Sequence, residues 1–182
     1  WHSRMAQAVA PAKAWLAGKT ITRAHITWRE DVRKWHPGQD WVFEPGGMGV
    51  FDPGSNALSI LTEILPAPVH LTSAELEFPA NRQTPIAARL TFSGGVTADF
   101  DWRQEGPQTW DIKVETPDGR LALRLGGNVL EIDGKSVAGE ATDFCCPVCG
   151  PQKYLVSRRL GDMQVTVLEC ERCAGLWTGL EA

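Results

Sequence analysis

The pattern of hydrophobic and polar residues predicts two helices and one strand in the first part of the chain, and a series of strands after them. Residues 3–17 predict a helix that Pro11 should bend or restart. Residues 20–28 predict a strand, and a long polar and aromatic stretch follows over residues 29–49. Because a loop of that length in a compact domain usually carries function, residues 29–49 are a first candidate region.

A second helix is predicted to begin at Asp52, a suitable N-cap, with Pro53 in its first turn and Pro66 beyond its end. After it, short alternating runs are separated by glycine-rich hairpin signals. These runs predict strands over residues 69–78, 86–92, 96–103, 108–116, 120–125 and 128–132. The pattern predicts an α+β fold, an open antiparallel sheet of about five or six strands with helices on one face.

Composition limits the function classes. The chain has 182 residues, 43% of them hydrophobic, which suits one ordinary core and a small appendage. Its formal charge is −4 without a run of like charges, so nucleic acid is not an expected partner of the main domain. The sequence contains neither an apolar run long enough to span a bilayer nor a signal-peptide pattern at Trp1, and we expect a soluble, cytoplasmic protein. The absence of an initiator Met leads us to expect further sequence upstream.

The strongest chemical signal is a pair of Cys-x-x-Cys knuckles near the C-terminus. Their cysteines are Cys146, Cys149, Cys170 and Cys173. Four thiolates at this spacing suit a tetrahedral Zn²⁺ without an open position, so a structural zinc site is predicted. A redox dithiol and free buried thiols are the alternatives. The neighbouring Cys145 could compete with Cys146, but only Cys146 has the two-residue spacing to Cys149.

The segment around these cysteines forms a second predicted unit, residues 144–182. A hairpin is predicted between the knuckles, over residues 154–159 and 164–169. With Cys-Pro-x-Cys-Gly at 146–150 and Cys-x-x-Cys-x-Gly-Leu-Trp at 170–177, the segment resembles the transcription-factor-type zinc ribbons of small bacterial proteins. Its arginines stand among acidic residues, which favours a solvated face over a nucleic-acid contact.

The start of the second helix carries the other candidate chemistry. Asp52 and Asn56 are one helical turn apart, at an end where unpaired backbone N–H groups favour polar oxygen or negative charge. With His36 they offer the groups that a polyhydroxylated ligand needs, and the glycine-rich stretch 46–49 would let such a ligand approach the main chain. The alternative is that Asp52 is only an N-cap and Asn56 faces water.

The tryptophans close to His36 in the sequence also have a functional and a structural interpretation. Trp28, Trp35 and Trp41 could stack on a pyranose ring, or they could simply fill the core. Glu30, which follows a predicted strand, would ordinarily be an exposed surface acid.

Two stretches of the sequence favour the functional interpretation of these residues. They are 28–41 (Trp-Arg-Glu-Asp-Val-Arg-Lys-Trp-His-Pro-Gly-Gln-Asp-Trp) and 44–54 (Glu-Pro-Gly-Gly-Met-Gly-Val-Phe-Asp-Pro-Gly). They resemble the C-terminal domain of the Gfo/Idh/MocA oxidoreductase family, and within it most resemble the D-galactose or L-arabinose 1-dehydrogenases. The resemblance covers residues 1–143. It implies a substrate-binding domain with an open antiparallel sheet, which often forms a homo-oligomer interface.

The resemblance also implies roles for individual residues. Glu30, His36, Asp52 and Asn56 would meet an aldose sugar, and Asp52 would act as acid or base at the anomeric hydroxyl. The implied reaction is oxidation of the sugar to an aldonolactone with NAD(P) as hydride acceptor. A carboxylate at a helix N-terminus stays ionised near neutral pH, which suits this role.

The sequence departs from the family in two places. Asn56 stands where many members have His, although the sugar 1-dehydrogenase branch tolerates this difference. The family's Gly-x-Gly-x-x-Gly cradle and Glu-Lys-Pro motif do not occur, so we expect NAD(P) to belong to a longer parent and this chain to be inactive alone. The main hypothesis is the substrate-binding half of an aldose 1-dehydrogenase. The alternatives are a non-catalytic binding or assembly module with a structural zinc ribbon, and a zinc-ribbon protein whose sheet is a scaffold.

Overall fold

The fold combines a few helices with one large open sheet. The computed structural model describes residues 2–138, 143–146, 150–153, 156–160, 163–169 and 176–179. The helices are α1 (Val9–Leu16), α2 (Val32–Trp35) and α3 (Phe51–Ile64), and short 3-10 turns occur at His2–Met5 and Asp40–Phe43. The predicted α+β class is confirmed.

Eight strands form the sheet. They are β1 (Arg23–Arg29), β2 (Leu71–Glu77), β3 (Ala87–Phe92), β4 (Val96–Asp101), β5 (Thr109–Thr116), β6 (Gly119–Arg124), β7 (Val129–Ile132) and β8 (Lys135–Ala138). Their order is β2-β3-β4-β1-β5-β6-β7-β8. Strand β1 lies parallel to β4, and the other neighbours are antiparallel, so the sheet is mixed where a purely antiparallel one was predicted. The parallel pair arises because the chain enters the sheet at β1 and later returns beside it.

One face of the sheet forms the core. Buried residues alternate along β1 as Ala24, Ile26 and Trp28, and partners such as Phe100 on β4 continue the same apolar layer. Helix α3 packs across β1 and β5, and α1 packs on α3 and against β6 and β7. The opposite face carries polar side chains and ion pairs, among them Arg29 with Asp99. Helices therefore cover one face, as predicted.

Helix α3 begins earlier than predicted. Its N-cap is Val50, which makes no side-chain capping bond, and Asp52 lies within the first turn. The prediction of Asp52 as N-cap is wrong, because the backbone N–H of Asp52 instead donates to the carbonyl of Gly49 and starts the turn before the acid. The carboxylate of Asp52 is therefore not used for capping.

Other boundaries also differ. The predicted helix 3–17 is a 3-10 turn followed by α1, in which Pro11 occupies the first turn and needs no N–H partner. Beyond the last predicted strand of the sheet, 128–132, the structure has a further strand, β8. Among the described residues, no helix is both long and apolar enough to cross a membrane.

Further strands are described towards the C-terminus. Strands β9 (Asp143–Cys146) and β10 (Gly150–Lys153) pair with each other, and β11 (Val156–Leu160), β12 (Met163–Glu169) and β13 (Leu176–Gly179) form a second small sheet. The predicted hairpin corresponds to the antiparallel pair β11 and β12. Of the predicted zinc ligands, Cys149, Cys170 and Cys173 lie outside the described residues, and only the backbone of Cys146 is described.

Candidate functional site

A cavity of about 300 Å³ opens where the N-terminus of α3 meets the carboxyl end of β1. Segments distant in the sequence contribute to it: the first 3-10 turn, the end of α2, the start of β5 and the turn after β6. The lining residues are Ser3, Ala6, Trp28, Glu30, Trp35, His36, Asp52, Pro53, Asn56, Trp110, Leu125, Gly126 and Asn128. The cavity combines carboxylates, amides, a hydroxyl and an imidazole with tryptophan rings.

The polar side of the cavity centres on Asp52 and His36. His36 follows α2 as its C-cap, and its Nε2 lies 3.3 Å from Oδ2 of Asp52. The other ring nitrogen, Nδ1, lies 3.3 Å from Oε1 of Gln39. The side chain of Asp52 is 37% exposed and that of His36 is 15% exposed. A proton acceptor thus faces the cavity with an imidazole beside it.

Asn56 lies one turn further along α3. Its Oδ1 accepts a hydrogen bond of 2.7 Å from the hydroxyl of Ser3. With the carbonyl oxygen engaged in this way, the Nδ2 amide group is the part of Asn56 that can donate to a ligand. The carboxylate of Asp52 and the amide of Asn56 therefore present an acceptor and a donor side by side.

Three tryptophans form the aromatic wall of the cavity. Trp28 and Trp110 stand opposite each other on β1 and β5, and their rings stack with centroids 5.9 Å apart and planes at 24°. Trp35 packs on Trp110 at 5.1 Å and 50°. Aromatic faces of this kind pack well on the C–H faces of a pyranose.

Glu30 also lines the cavity, although it is only 4% exposed. Its Oε1 accepts a hydrogen bond of 3.2 Å from the indole of Trp102, and its Oε2 accepts one of 2.8 Å from the indole of Trp110. These bonds offset the cost of burying the carboxylate. The expectation that Glu30 would ordinarily be an exposed acid does not apply here, because the strands beside β1 bring two indole donors to it.

The turn between β6 and β7 closes the cavity on the remaining side. Leu125 has φ +53°, rare for a residue with a side chain, and Gly126 has φ +66°. Asn128 holds the turn through a 2.7 Å hydrogen bond from its Nδ2 to the carbonyl of Leu125. The backbone N–H of Ala8 donates to the carbonyl of Gly127, which ties the turn to the start of α1. The strained turn is thus fixed at both ends.

The structure brings all four sequence-predicted binding residues, Glu30, His36, Asp52 and Asn56, to one cavity. Two related expectations are wrong. Trp41 is 56% exposed and does not line the cavity. The glycines at 46–49 do not line it either. Gly47 and Gly49 pack on other backbone: a Cβ at Gly49 would lie 2.4 Å from the carbonyl oxygen of Pro85.

Sequence reasoning missed Ser3, Trp110 and Asn128. Ser3 belongs to a segment predicted as regular helix. Trp110 lies in an alternating run predicted as a strand, where no neighbouring residue marks it as part of a site. The one available signal was the pairing of apolar positions: a tryptophan on each of two predicted strands can meet once their register is known.

The described residues show neither a metal-binding cluster nor a dinucleotide fingerprint. Among them, no group of three or more His, Cys, Asp or Glu is arranged to hold a metal. The 182-residue sequence has no Gly-x-Gly-x-x-Gly. In the turn between β6 and β7, Gly127 packs on protein, since a Cβ there would lie 2.9 Å from Val9, and we assign no dinucleotide contact to it.

Two relatives are similar to this chain in sequence. A galactose 1-dehydrogenase of Pseudomonas fluorescens is 49% identical over 133 residues, covering 71% of this chain and 43% of the relative. The crystal structure of a D-galactose-1-dehydrogenase from Rhizobium etli is 57% identical with a TM-score of 0.73, covering 77% of this chain and 47% of that one. The chain thus spans somewhat less than half the length of the relatives it matches. No family model matches the chain.

A more distant structure shares the fold alone. An inositol dehydrogenase homologue from Azotobacter vinelandii, crystallised with NAD⁺, is 16% identical with a TM-score of 0.61. The match covers 75% of this chain and 42% of the homologue's chain. The sheet with helices on one face is therefore an arrangement that this chain shares with a wider group of solved dehydrogenase structures.

Proposed function

We propose that this chain, which is homologous to Gfo/Idh/MocA-type oxidoreductases of the galactose 1-dehydrogenase kind, is the substrate-binding half of an aldose 1-dehydrogenase. The observation that carries the proposal is the cavity at the start of α3, where Asp52, Asn56 and His36 face three tryptophans. The ligand would be a hexose or pentose of the galactose or arabinose type. Its C–H face would lie on the aromatic wall, and its hydroxyl groups would face α3.

The side chains of α3 suit the anomeric end of such a sugar. The carboxylate of Asp52 accepts the proton of the anomeric hydroxyl, and the amide of Asn56 donates to a neighbouring sugar oxygen. His36, 3.3 Å from Asp52, holds that carboxylate in place. Loss of the hydroxyl proton and of the C1 hydride leaves the lactone carbonyl. The nicotinamide of the longer parent would accept the hydride, and the step we assign to this chain is the removal of the proton.

We propose in addition that residues 144–182 bind one structural zinc ion through Cys146, Cys149, Cys170 and Cys173. The support is the spacing of the two knuckles in the sequence and the antiparallel pair β11 and β12 between them. Such a segment is too small to form a substantial core, so the metal would supply much of its folding free energy.

Sugar binding can be measured on the chain itself by tryptophan fluorescence, because three indoles line the cavity. D-galactose and L-arabinose should change the emission saturably, and glycerol should not. Asp52→Asn and Asn56→Ala should each weaken binding about tenfold, in line with the loss of hydrogen bonds to a bound polar ligand. Asp40→Asn is the matched control, since Asp40 is 77% exposed and lies outside the cavity.

Turnover needs the other half of the enzyme. A fusion of the nucleotide-binding half of the Rhizobium etli dehydrogenase to this chain should form NADH from D-galactose, and Asp52→Asn should lower kcat by about 10²-fold or more. A fusion that binds both the sugar and NAD⁺ yet forms no NADH would favour a non-catalytic binding module.

A further inference from the structure

Glu30 lies at the end of a central strand of the sheet. Strand β1 lies between β4 and β5, and Glu30 directly follows its last residue. The backbone N–H of Glu30 donates to the carbonyl of Asp101, and its carbonyl accepts from the N–H of Gln104. The main chain of Glu30 is therefore held in register with the end of β4, and its side chain is directed from a fixed point.

From that point, the carboxylate reaches the continuation of both neighbouring strands. Trp102 follows β4, and Trp110 is the second residue of β5. Each donates its indole N–H to a different oxygen of Glu30, at 3.2 Å and 2.8 Å. Both oxygens of a nearly inaccessible carboxylate are thus engaged by protein donors. An indole N–H can only donate, so each of these bonds uses one oxygen of Glu30 as its acceptor.

Each indole in turn fixes a different part of the cavity. Trp110 stacks on Trp28 and packs on Trp35, so its orientation sets the aromatic wall. Trp102 packs against the ring of His36 with centroids 5.1 Å apart, and His36 lies beside Asp52. One carboxylate is therefore connected to the apolar wall on one side and to the polar end on the other.

We propose that Glu30 is a positioning residue, which holds the indoles of Trp102 and Trp110 and through them sets the aromatic wall and the His36–Asp52 pair. Its effect on a sugar, which rests on the function proposed above, is exerted through these neighbours without direct contact. Replacement by Gln keeps the size of the side chain, but its NH₂ group would face an indole N–H. One donor would then be left without an acceptor, and one ring would leave its position.

The first test needs no sugar. Glu30→Gln should change the near-ultraviolet circular dichroism of the stacked Trp28 and Trp110 rings, shift both indole N–H resonances and move the imidazole resonances of His36. Glu75→Gln is the matched control, because Glu75 is 75% exposed on β2. If the spectra of Glu30→Gln match those of the control, the positioning role is refuted whatever the chain binds.

The second test uses D-galactose and a double-mutant cycle with Trp110→Phe, which keeps an aromatic ring but removes the indole N–H. Each single variant should raise the Kd about tenfold, and Glu30→Gln in the Trp110→Phe background should add less than about threefold. Fully additive effects would show that Glu30 does not act through Trp110, which would overturn the proposal.

The two tests distinguish failure of the proposed sugar-binding function from failure of the proposed role of Glu30. If the unmodified chain binds no sugar, the proposed function fails, while the sugar-free spectra still decide the role of Glu30. If Glu30→Gln does not fold, Trp110→Phe alone decides: unchanged spectra of Trp28 and unchanged sugar affinity would show that the bond between Glu30 and Trp110 positions nothing.

Discussion

The hydroxyl of Ser3 donates a hydrogen bond of 2.7 Å to Oδ1 of Asn56, across 53 positions of the sequence. This bond fixes which end of the amide faces the cavity. Ser3→Ala should leave the amide free to rotate and should weaken D-galactose binding about two- to tenfold, the range expected from one partly buried hydrogen bond. Fluorescence titration of the chain measures the effect.

Ser59→Ala is the matched control for this substitution. Ser59 lies on the same helix, and its hydroxyl donates a hydrogen bond of 3.0 Å to the backbone carbonyl of Asn56. Its removal should leave the sugar affinity unchanged. Equal losses in the two variants would show that general loosening of α3, and not the orientation of the amide, is responsible.

Gly54 lets α3 approach the sheet closely. A Cβ at this position would lie 2.8 Å from two ring carbons of Phe100. Alanine is the better helix former by about 1 kcal/mol, but the contact should cost about 1–3 kcal/mol, and we expect Gly54→Ala to be net destabilising. Urea unfolding monitored by circular dichroism gives the free energy of unfolding.

Thr62→Ala provides the comparison within the same helix, because Thr62 is exposed. Its free energy of unfolding should stay within about 0.5 kcal/mol of that of the unmodified chain. A Gly54→Ala variant that is more stable than the unmodified chain would mean that the helix and Phe100 can separate without cost.

His25, on the polar face of the sheet, should make stability depend on pH. Burial lowers the pKa of His25 below its ordinary value; the charge of Asp99 opposes this, and Arg23, Lys113 and Arg29 add to it. Between the folded and the unfolded pKa, the unfolded chain binds more protons than the folded one. The contribution of His25 is therefore complete above about pH 6.5 and is lost as the pH falls through the folded pKa.

This dependence can be measured as the free energy of urea unfolding across mildly acidic pH. His25→Gln keeps a polar group beside Thr97, whose hydroxyl lies 2.8 Å from Nδ1 of His25, and should reduce the loss of stability on acidification. His70→Gln, at an exposed position, should leave the profile as it is. A profile that does not respond to His25→Gln would exclude His25 as its source.

The zinc proposal is tested by metal content. The purified chain should carry about one zinc ion, and Cys149→Ser should lose nearly all of it, since structural zinc sites contribute about 10 kcal/mol or more. Cys145→Ser is the matched control and should retain the metal. Chelation should remove the backbone amide signals of residues 144–182 and leave the indole signals of the cavity unchanged. Full zinc content in Cys149→Ser would refute the proposed ligand set.

Local signals in the sequence anticipated much of the fold. The glycine-rich turns separate the strands β3 to β7 close to where the structure places them, because a hairpin needs left-handed residues at a fixed point. The hairpin expected between β4 and β5 is wrong, since β1 lies between these two strands. Helix α3 was likewise predicted from Pro53 in its first turn and Pro66 beyond its end. The resemblance to a known family directed attention to Glu30, His36, Asp52 and Asn56, which the structure brings to one cavity.

The sequence by itself thus determined α3 and the strands β1 to β7, because these elements depend on neighbours a few positions away. It did not predict the short helix α2 or the strand β8. Only the tertiary structure decided that β1 lies between β4 and β5, which places Trp102 and Trp110 on either side of Glu30. It also decided that Ser3 reaches Asn56. The physical reason is that pairing between distant strands is set by packing of the whole core, which no local pattern of residues specifies.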